Sequence, residues 1–252
     1  MSPHVYTDFC TRLSSCVREQ LTTKTRPAKA YNLQVLLANF RKLPEVVYPT
    51  PVDDCMVMYK YLTVHKQVSP GNILLAGDSA GAGLVLSVLL RLRDTGQQMP
   101  LGAICSCPFI DFDGDEPLAE HCIMRAPVPD AFRDFCRYGD PTAPDAWREA
   151  HIVDRDLKQL PPLFIQTGGF DLFHQHALRL ANKAEADGVQ GLELDVHHEM
   201  PHVFSTFPAW LLPGSERGIE RMAAFIVERI QSIGGNGSAE KQPSDGEKAR
   251  PF

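Results

Sequence analysis

The sequence predicts an α/β protein, a mainly parallel sheet with helices on both faces. Three observations carry this expectation. Short apolar runs alternate with amphipathic segments along most of the chain. The 252 residues are 44% hydrophobic and 22% charged, ordinary globular usage and enough to bury the core of one domain. One apolar run stops at Gly77-Asp78-Ser79-Ala80-Gly81, and a helical pattern begins directly after it. In such sheets the functional groups sit at the carboxyl ends of the strands.

The elements follow in order. Val5, Phe9, Leu13, Val17 and Leu21 stand at helical spacing, so Val5 to Leu21 is an amphipathic helix. LQVLLANF, Leu33 to Phe40, reads as a short buried strand. Pro44, Pro49 and Pro51 exclude regular structure from the turn-rich segment that follows. VDDCMVMYKYLTVH is a helix, NILLAG a strand, Ala80 to Arg93 a helix and LGAICSC a strand. Residues 108–160 are proline-rich and irregular, with one helical piece near Asp130 to Arg137. PLFIQTGG is a strand, and HQHALRLANKAEADG is a helix stopped by Gly188. LELDVHH is a strand, and Ser215 to Ile233 is a long amphipathic helix. One domain therefore spans 1–233. The tail 234–252 is polar and rich in Gly, Ser, Lys and Glu, and is expected to stay disordered. No internal repeat is visible.

Bulk properties exclude several classes. Net charge is −6 and no basic block occurs, which argues against nucleic acid as a partner. No apolar run approaches the length of a membrane span. MSPHVYTDFC lacks the charged-then-apolar pattern of a secretory signal. The seven cysteines are odd in number, irregular in spacing and contain no CxxC pair. Free thiols in a reducing compartment follow, and the expected location is cytoplasmic.

Gly77-Asp78-Ser79-Ala80-Gly81 admits three readings. It fits G-x-S-x-G between strand and helix, the setting that holds a nucleophilic serine on a strained turn. It resembles a phosphate loop only loosely, because it does not fit G-x-G-x-x-G and lacks the lysine of a P-loop. It could also be a plain turn whose serine caps the helix. Partners decide among them. A serine hydroxyl needs a base, and the base needs an orienting group. Asp171 lies just past the strand PLFIQTGG, and His202 just past the strand LELDVHH. Each stands where Ser79 stands, at the carboxyl end of a strand, in the order serine, acid, histidine.

With these residues in place, the chain resembles the hormone-sensitive-lipase-like esterases of the α/β-hydrolase superfamily, the fold-3 type. NFRKLPEVVYPTPVDD is similar to that family's D-Y-R-L-A-P-E-x-x-F-P-A-x-x-D-D. Arg41, Pro44, Glu45, Pro49, Asp53 and Asp54 match, whereas Asn39, Phe40, Lys42 and Leu43 differ. GDSAGAGL resembles the nucleophile motif, GGFDLF the acid motif and PHVF the histidine motif. The likeness runs from about Ser2 to Ile233. It implies an esterase with Ser79 as nucleophile, His202 as general base and Asp171 as its orienting carboxylate. The Ala80 N–H would be one oxyanion donor, with Gly77, Asp78 and Gly81 shaping the elbow. It also implies that 108–160 forms the acyl pocket and part of a cap. Phe109, Phe112, Ile123, Met124, Phe132 and Phe135 would supply its apolar wall or pack in the core.

One departure weighs against full activity. The family carries H-G-G-G ahead of the first helix, and this sequence contains no such motif. The fold is therefore expected to be N-terminally shortened, with the first strands and the oxyanion loop missing. The strand that would separate Leu33–Phe40 from Asn72–Ala76 is missing with them. An unpaired interior edge invites rearrangement or pairing with a second copy.

Other signals point nowhere else. His198-Glu199-Met200-Pro201-His202 is a literal H-E-x-x-H, but Pro201 opposes the helix that a zinc site requires. His174 and His176 read as polar surface, and His197 and His198 as solvated or supporting groups. Cys105 and Cys107 alternate on a strand, share one face and read as core packing. DFDGDEP, from Asp111, lacks the calcium-loop pattern. No metal or cofactor is expected. The reading is a serine hydrolase of small or medium carboxylic esters. The alternatives are a non-catalytic hydrolase-like binding protein or a shortened, inactive product.

Overall fold

Four strands form one sheet in which every pairing is parallel and in chain order. They are β1 (Leu74–Asp78), β2 (Gly102–Ser106), β3 (Leu163–Phe170) and β4 (Glu193–Pro201). A computed structural model describes residues 6–24, 31–112, 122 and 145–235. Within these, the helices are α1 (Thr7–Lys24), α2 (Thr50–Lys60), α3 (Ala80–Asp94), α4 (His174–Ala186) and α5 (Gly214–Gly235). Parallel neighbours cannot be joined by a tight hairpin, so each connection must cross back over a sheet face. The alternation of apolar runs and amphipathic segments reflects that requirement.

Successive strand residues face opposite sides of the sheet. Ala103, Cys105, Leu163 and Ile165 pack on one side against Ala82, Leu86, Leu89 and Leu90 of α3 and Ala177, Leu180 and Ala184 of α4. Ile104 and Phe164 pack on the other, against Val17 and Leu21 of α1 and Met222, Phe225 and Ile226 of α5. The register Ala103 to Leu163 and Ile104 to Phe164 keeps each set in line across the strands. Every residue of β2 is buried, because both of its faces are covered. A third cluster lies beside the β1 end of α3. There Val52, Met56 and Tyr59 of α2 meet Leu84, Val88, Leu92, Phe109 and Phe173.

The segment resembling the family's proline-rich motif closes through charge. Arg41 donates from its main chain and its guanidinium to both oxygens of Asp54, at 2.7–2.9 Å. The Arg41 hydrogen bonds pull the Asp54 carboxyl down to about 2. Arg91 of α3 bridges Asp53 and Glu149, tying α2 to the loop ahead of β3.

Three expectations change. Leu33 to Phe40 is not a buried strand: residues 31–40 carry no regular structure. Val35, Leu36 and Leu37 are 50, 56 and 39% exposed. A strand needs a neighbour for its backbone groups. β1 pairs only with β2, and among the described residues no strand meets its outer edge. Pro51 does not exclude helix, because it stands in the first turn of α2, where a missing N–H costs no helical bond. β4 extends beyond His198 to Pro201. The helical piece near Asp130–Arg137 and the tail beyond residue 235 lie outside the described residues. No described helix is long and apolar enough to cross a membrane.

β3 and β4 approach most closely at Gly168 and Gly169. A Cβ at Gly168 would lie 1.9 Å from the Met200 carbonyl oxygen, and one at Gly169 would lie 1.9 Å from that of His198. The clash is with backbone, which cannot swing aside. Gly169→Ala is expected to cost about 3 kcal/mol or more, read from the midpoint of urea unfolding. Leu36→Ser is expected to change stability by less than about 0.5 kcal/mol. A large loss there would place the segment in the core after all.

Candidate active site

Ser79 sits between the last residue of β1 and the first of α3. Its backbone is at φ 55° and ψ −123°, a conformation that a non-glycine residue holds only when its surroundings enforce it. Backbone hydrogen bonds do so, among them a 3.4 Å bond from the Gly83 N–H to the Ser79 carbonyl. Ser79 N–H donates to Ser106 at 2.9 Å, while the Ser79 carbonyl accepts from Phe109 and Ala82 at 3.1 Å each. The hydroxyl makes no capping bond to α3, so nothing supports the reading of Ser79 as a helix cap. Gly77 is required by space: a Cβ there would lie 2.4 Å from the Gly81 carbonyl oxygen. Gly81 is not, since a Cβ on it would meet nothing within 4 Å. Ala80 opens α3, where a helix leaves its backbone N–H groups without intrahelical acceptors.

Asp171 follows β3 and is 1% exposed. Its Oδ1 accepts from the Phe173 N–H at 2.9 Å and its Oδ2 from the Thr167 hydroxyl at 3.1 Å. His202 Nδ1 lies 2.6 Å from Asp171 Oδ1. Burial opposes the charge on Asp171, but the hydrogen bond and charge of His202, together with its other donors, hold the carboxyl below its usual range. An ionised carboxylate can only accept, so Nδ1 carries the proton and Nε2 presents its lone pair. The imidazole stands edge-on to Phe173, ring centres 5.3 Å apart. Phe173 in turn packs on Phe109 at 4.9 Å, and Phe109 on Phe112 at 4.8 Å. These rings belong to the third core cluster, so the imidazole stands against buried core. Ile123, Met124, Phe132 and Phe135 lie outside the described residues.

The sheet brings the three sequence-predicted groups to one rim. Asp78, beside Ser79, is close enough to feel the charge of His202. Its Oδ2 accepts the Tyr6 hydroxyl at 2.9 Å, which fastens the entrance of α1 to the elbow. Burial raises the Asp78 carboxyl above its ordinary range, against the Tyr6 hydrogen bond and the His202 charge.

Other sequence candidates separate from this centre. His198 lies within β4 and His202 just past its end. Roughly 13 Å of extended chain divides them, too far for one zinc ion. His176 is not polar surface: it is 3% exposed, and its Nδ1 accepts the Ile110 N–H at 3.3 Å. His197 pairs with Asp195 at 2.8 Å. Cys105 is core packing as expected, its thiol pushed up to about 12 by burial. Cys107 is different. β2 ends at Ser106, and φ 47° at Cys107 turns its side chain out of the strand pattern. Its sulfur accepts the Val203 N–H at 3.1 Å. A ligand atom from each of Cys107, Asp171 and His202 lies within 4.8 Å of the others. Its place directly past a strand end was the one available signal.

Comparison with known proteins agrees with the α/β architecture. A family model described as the alpha/beta hydrolase fold matches residues 16–206. An acetyl-hydrolase of Streptomyces hygroscopicus is 35% identical over 200 residues, covering 76% of this chain and 64% of its own. An esterase of Acinetobacter venetianus is 27% identical over 210 residues, covering 79% and 66%. The crystal structure of an esterase from the bacterial hormone-sensitive lipase family superposes with a TM-score of 0.66 at 33% identity, over 76% of this chain and 64% of that one. The chain thus spans just under two thirds of the length of these relatives.

Asp78 offers a test of the elbow's electrostatics. Its folded pKa is raised, so its ionised form opposes folding and stability falls as pH rises through the folded value. Asp78→Asn keeps an acceptor for Tyr6 and removes the buried charge. It is expected to raise Tm at pH 7, with the gain shrinking as pH falls into the carboxylate range. A gain independent of pH would exclude the charge as its cause.

Proposed function

The chain belongs to the α/β-hydrolase fold family, and from that premise we propose that it is a serine hydrolase of carboxylic esters. The observation that carries the reading is the 2.6 Å hydrogen bond between Asp171 and His202, on the sheet rim that also holds the strained Ser79. Ser79 Oγ attacks the ester carbonyl while its proton passes to His202 Nε2. Asp171 keeps the imidazole in the tautomer that can take the proton and stabilises the imidazolium. The Ala80 N–H receives the developing oxyanion. Collapse expels the alcohol, which takes the proton from His202. Water, activated by the same nitrogen, then releases the acid and restores Ser79.

The substrate reading is a carboxylic ester of small or medium size. The name of the Streptomyces relative, an acetyl-hydrolase, supports it. The second reading is a hydrolase-like protein that binds esters without turning them over. Among the described residues the outer edge of β1 is uncovered, which supports pairing with a second copy, and the free thiols of Cys10, Cys16 and Cys55 support a cytoplasmic location.

Intact mass after treatment with a fluorophosphonate separates the readings. Wild-type protein is expected to gain one adduct, and Ser79→Ala none. His202→Ala is expected to label at least about 10²-fold more slowly, because the serine loses its base. Soluble, cooperatively folded wild-type protein that gains no adduct would sink the esterase reading and favour the binding protein.

A further inference from the structure

We propose that Cys107 is a positioning residue of this site: its thiol proton is donated to the Asp171 carboxylate while its sulfur accepts the Val203 N–H, so one side chain ties the acid to the loop carrying the base. The inference rests on the esterase reading for its catalytic meaning, but the hydrogen bond itself does not.

The argument is one of unfilled capacity. An ionised carboxylate has about four acceptor positions. Three on Asp171 are taken, by His202 Nδ1, the Phe173 N–H and the Thr167 hydroxyl. Asp171 is 1% exposed, so water is a poor candidate for the fourth. The Cys107 sulfur lies within 4.8 Å of a carboxylate oxygen and is 0% exposed. With one side of the sulfur receiving an N–H at 3.1 Å, its S–H remains free to donate. Burial and then the charge of Asp171 raise the thiol far above its ordinary range, so it stays protonated and is a donor. The backbone agrees. Cys107 at φ 47° and Val203 at φ 49° are both non-glycine residues in the left-handed region. They come from separate loops and meet through this one N–H to sulfur bond.

The thiol should matter to the base. Each donor on Asp171 draws off part of its negative charge. The charged and titratable groups facing the pair are Cys107 and, across the elbow, Asp78. Without the thiol proton, Asp171 holds the imidazolium more tightly. The test follows the His202 ring resonances by NMR through a pH titration in wild type, Cys107→Ala and Cys107→Ser. The midpoint is expected to rise by about half a pH unit or more in Cys107→Ala, and to return to the wild-type value in Cys107→Ser, which keeps a donor. The acid limb of fluorophosphonate labelling should move with it. An unchanged midpoint in folded Cys107→Ala, or equal shifts in both variants, would overturn the proposal. Should Cys107→Ala not fold, the infrared S–H band of the wild-type protein decides. The Cys107 band, identified by its loss in Cys107→Ser, is expected at lower frequency than that of Cys105. Coincidence of the two bands would overturn it. A midpoint that shifts as expected in protein that never labels would leave the hydrogen bond standing and remove the esterase reading instead.

Discussion

The parallel, in-order pairing of β1 to β4 is the constraint on which the rest of the molecule depends. It points four carboxyl ends the same way, so whatever follows each strand arrives at a common rim. Ser79 follows β1, Cys107 follows β2, Asp171 follows β3 and His202 follows β4. None of these residues is near another in sequence except through that geometry. The register is held from both faces, by α3 and α4 on one side and α1 and α5 on the other. The strands that carry the acid and the base also approach so closely at Gly168 and Gly169 that only hydrogen fits between them.

Within this frame, the energetics of the rim turn on one buried carboxylate. Placing Asp171 at 1% exposure would be costly if it were bare. Donors from its own loop, from the β3 strand and from His202 offset that cost. The same donors fix the direction in which the carboxylate faces the imidazole. Stability and the readiness of the base are thus set by one group. Asp78 shows the contrasting case: it is half-buried, accepts the Tyr6 hydroxyl, and its carboxyl is raised.

The β1 edge illustrates what happens when an apolar run lacks a partner. Leu33 and Phe40 are anchored on the two cores at either end of the segment. Between them Val35, Leu36 and Leu37 stay exposed, and residues 31–40 form no ladder with the β1 edge. Apolar composition alone does not make a strand; an available ladder does.

Periodicity and punctuation are local, and what depends on them was legible in the residues alone. The sequence by itself determined the helices and four strands, the parallel architecture, and the order of serine, acid and histidine past successive strand ends. Tertiary structure decided the rest, because the deciding contacts join residues far apart in the chain. The Cys107 sulfur meets a backbone N–H 96 residues away, and the Tyr6 hydroxyl meets Asp78 across 72. The burial of His176, the exposure of Leu36 and the crowding at Gly169 depend likewise on what stands opposite. A pattern of residue types records which face is apolar; it does not record which distant atom will be waiting there.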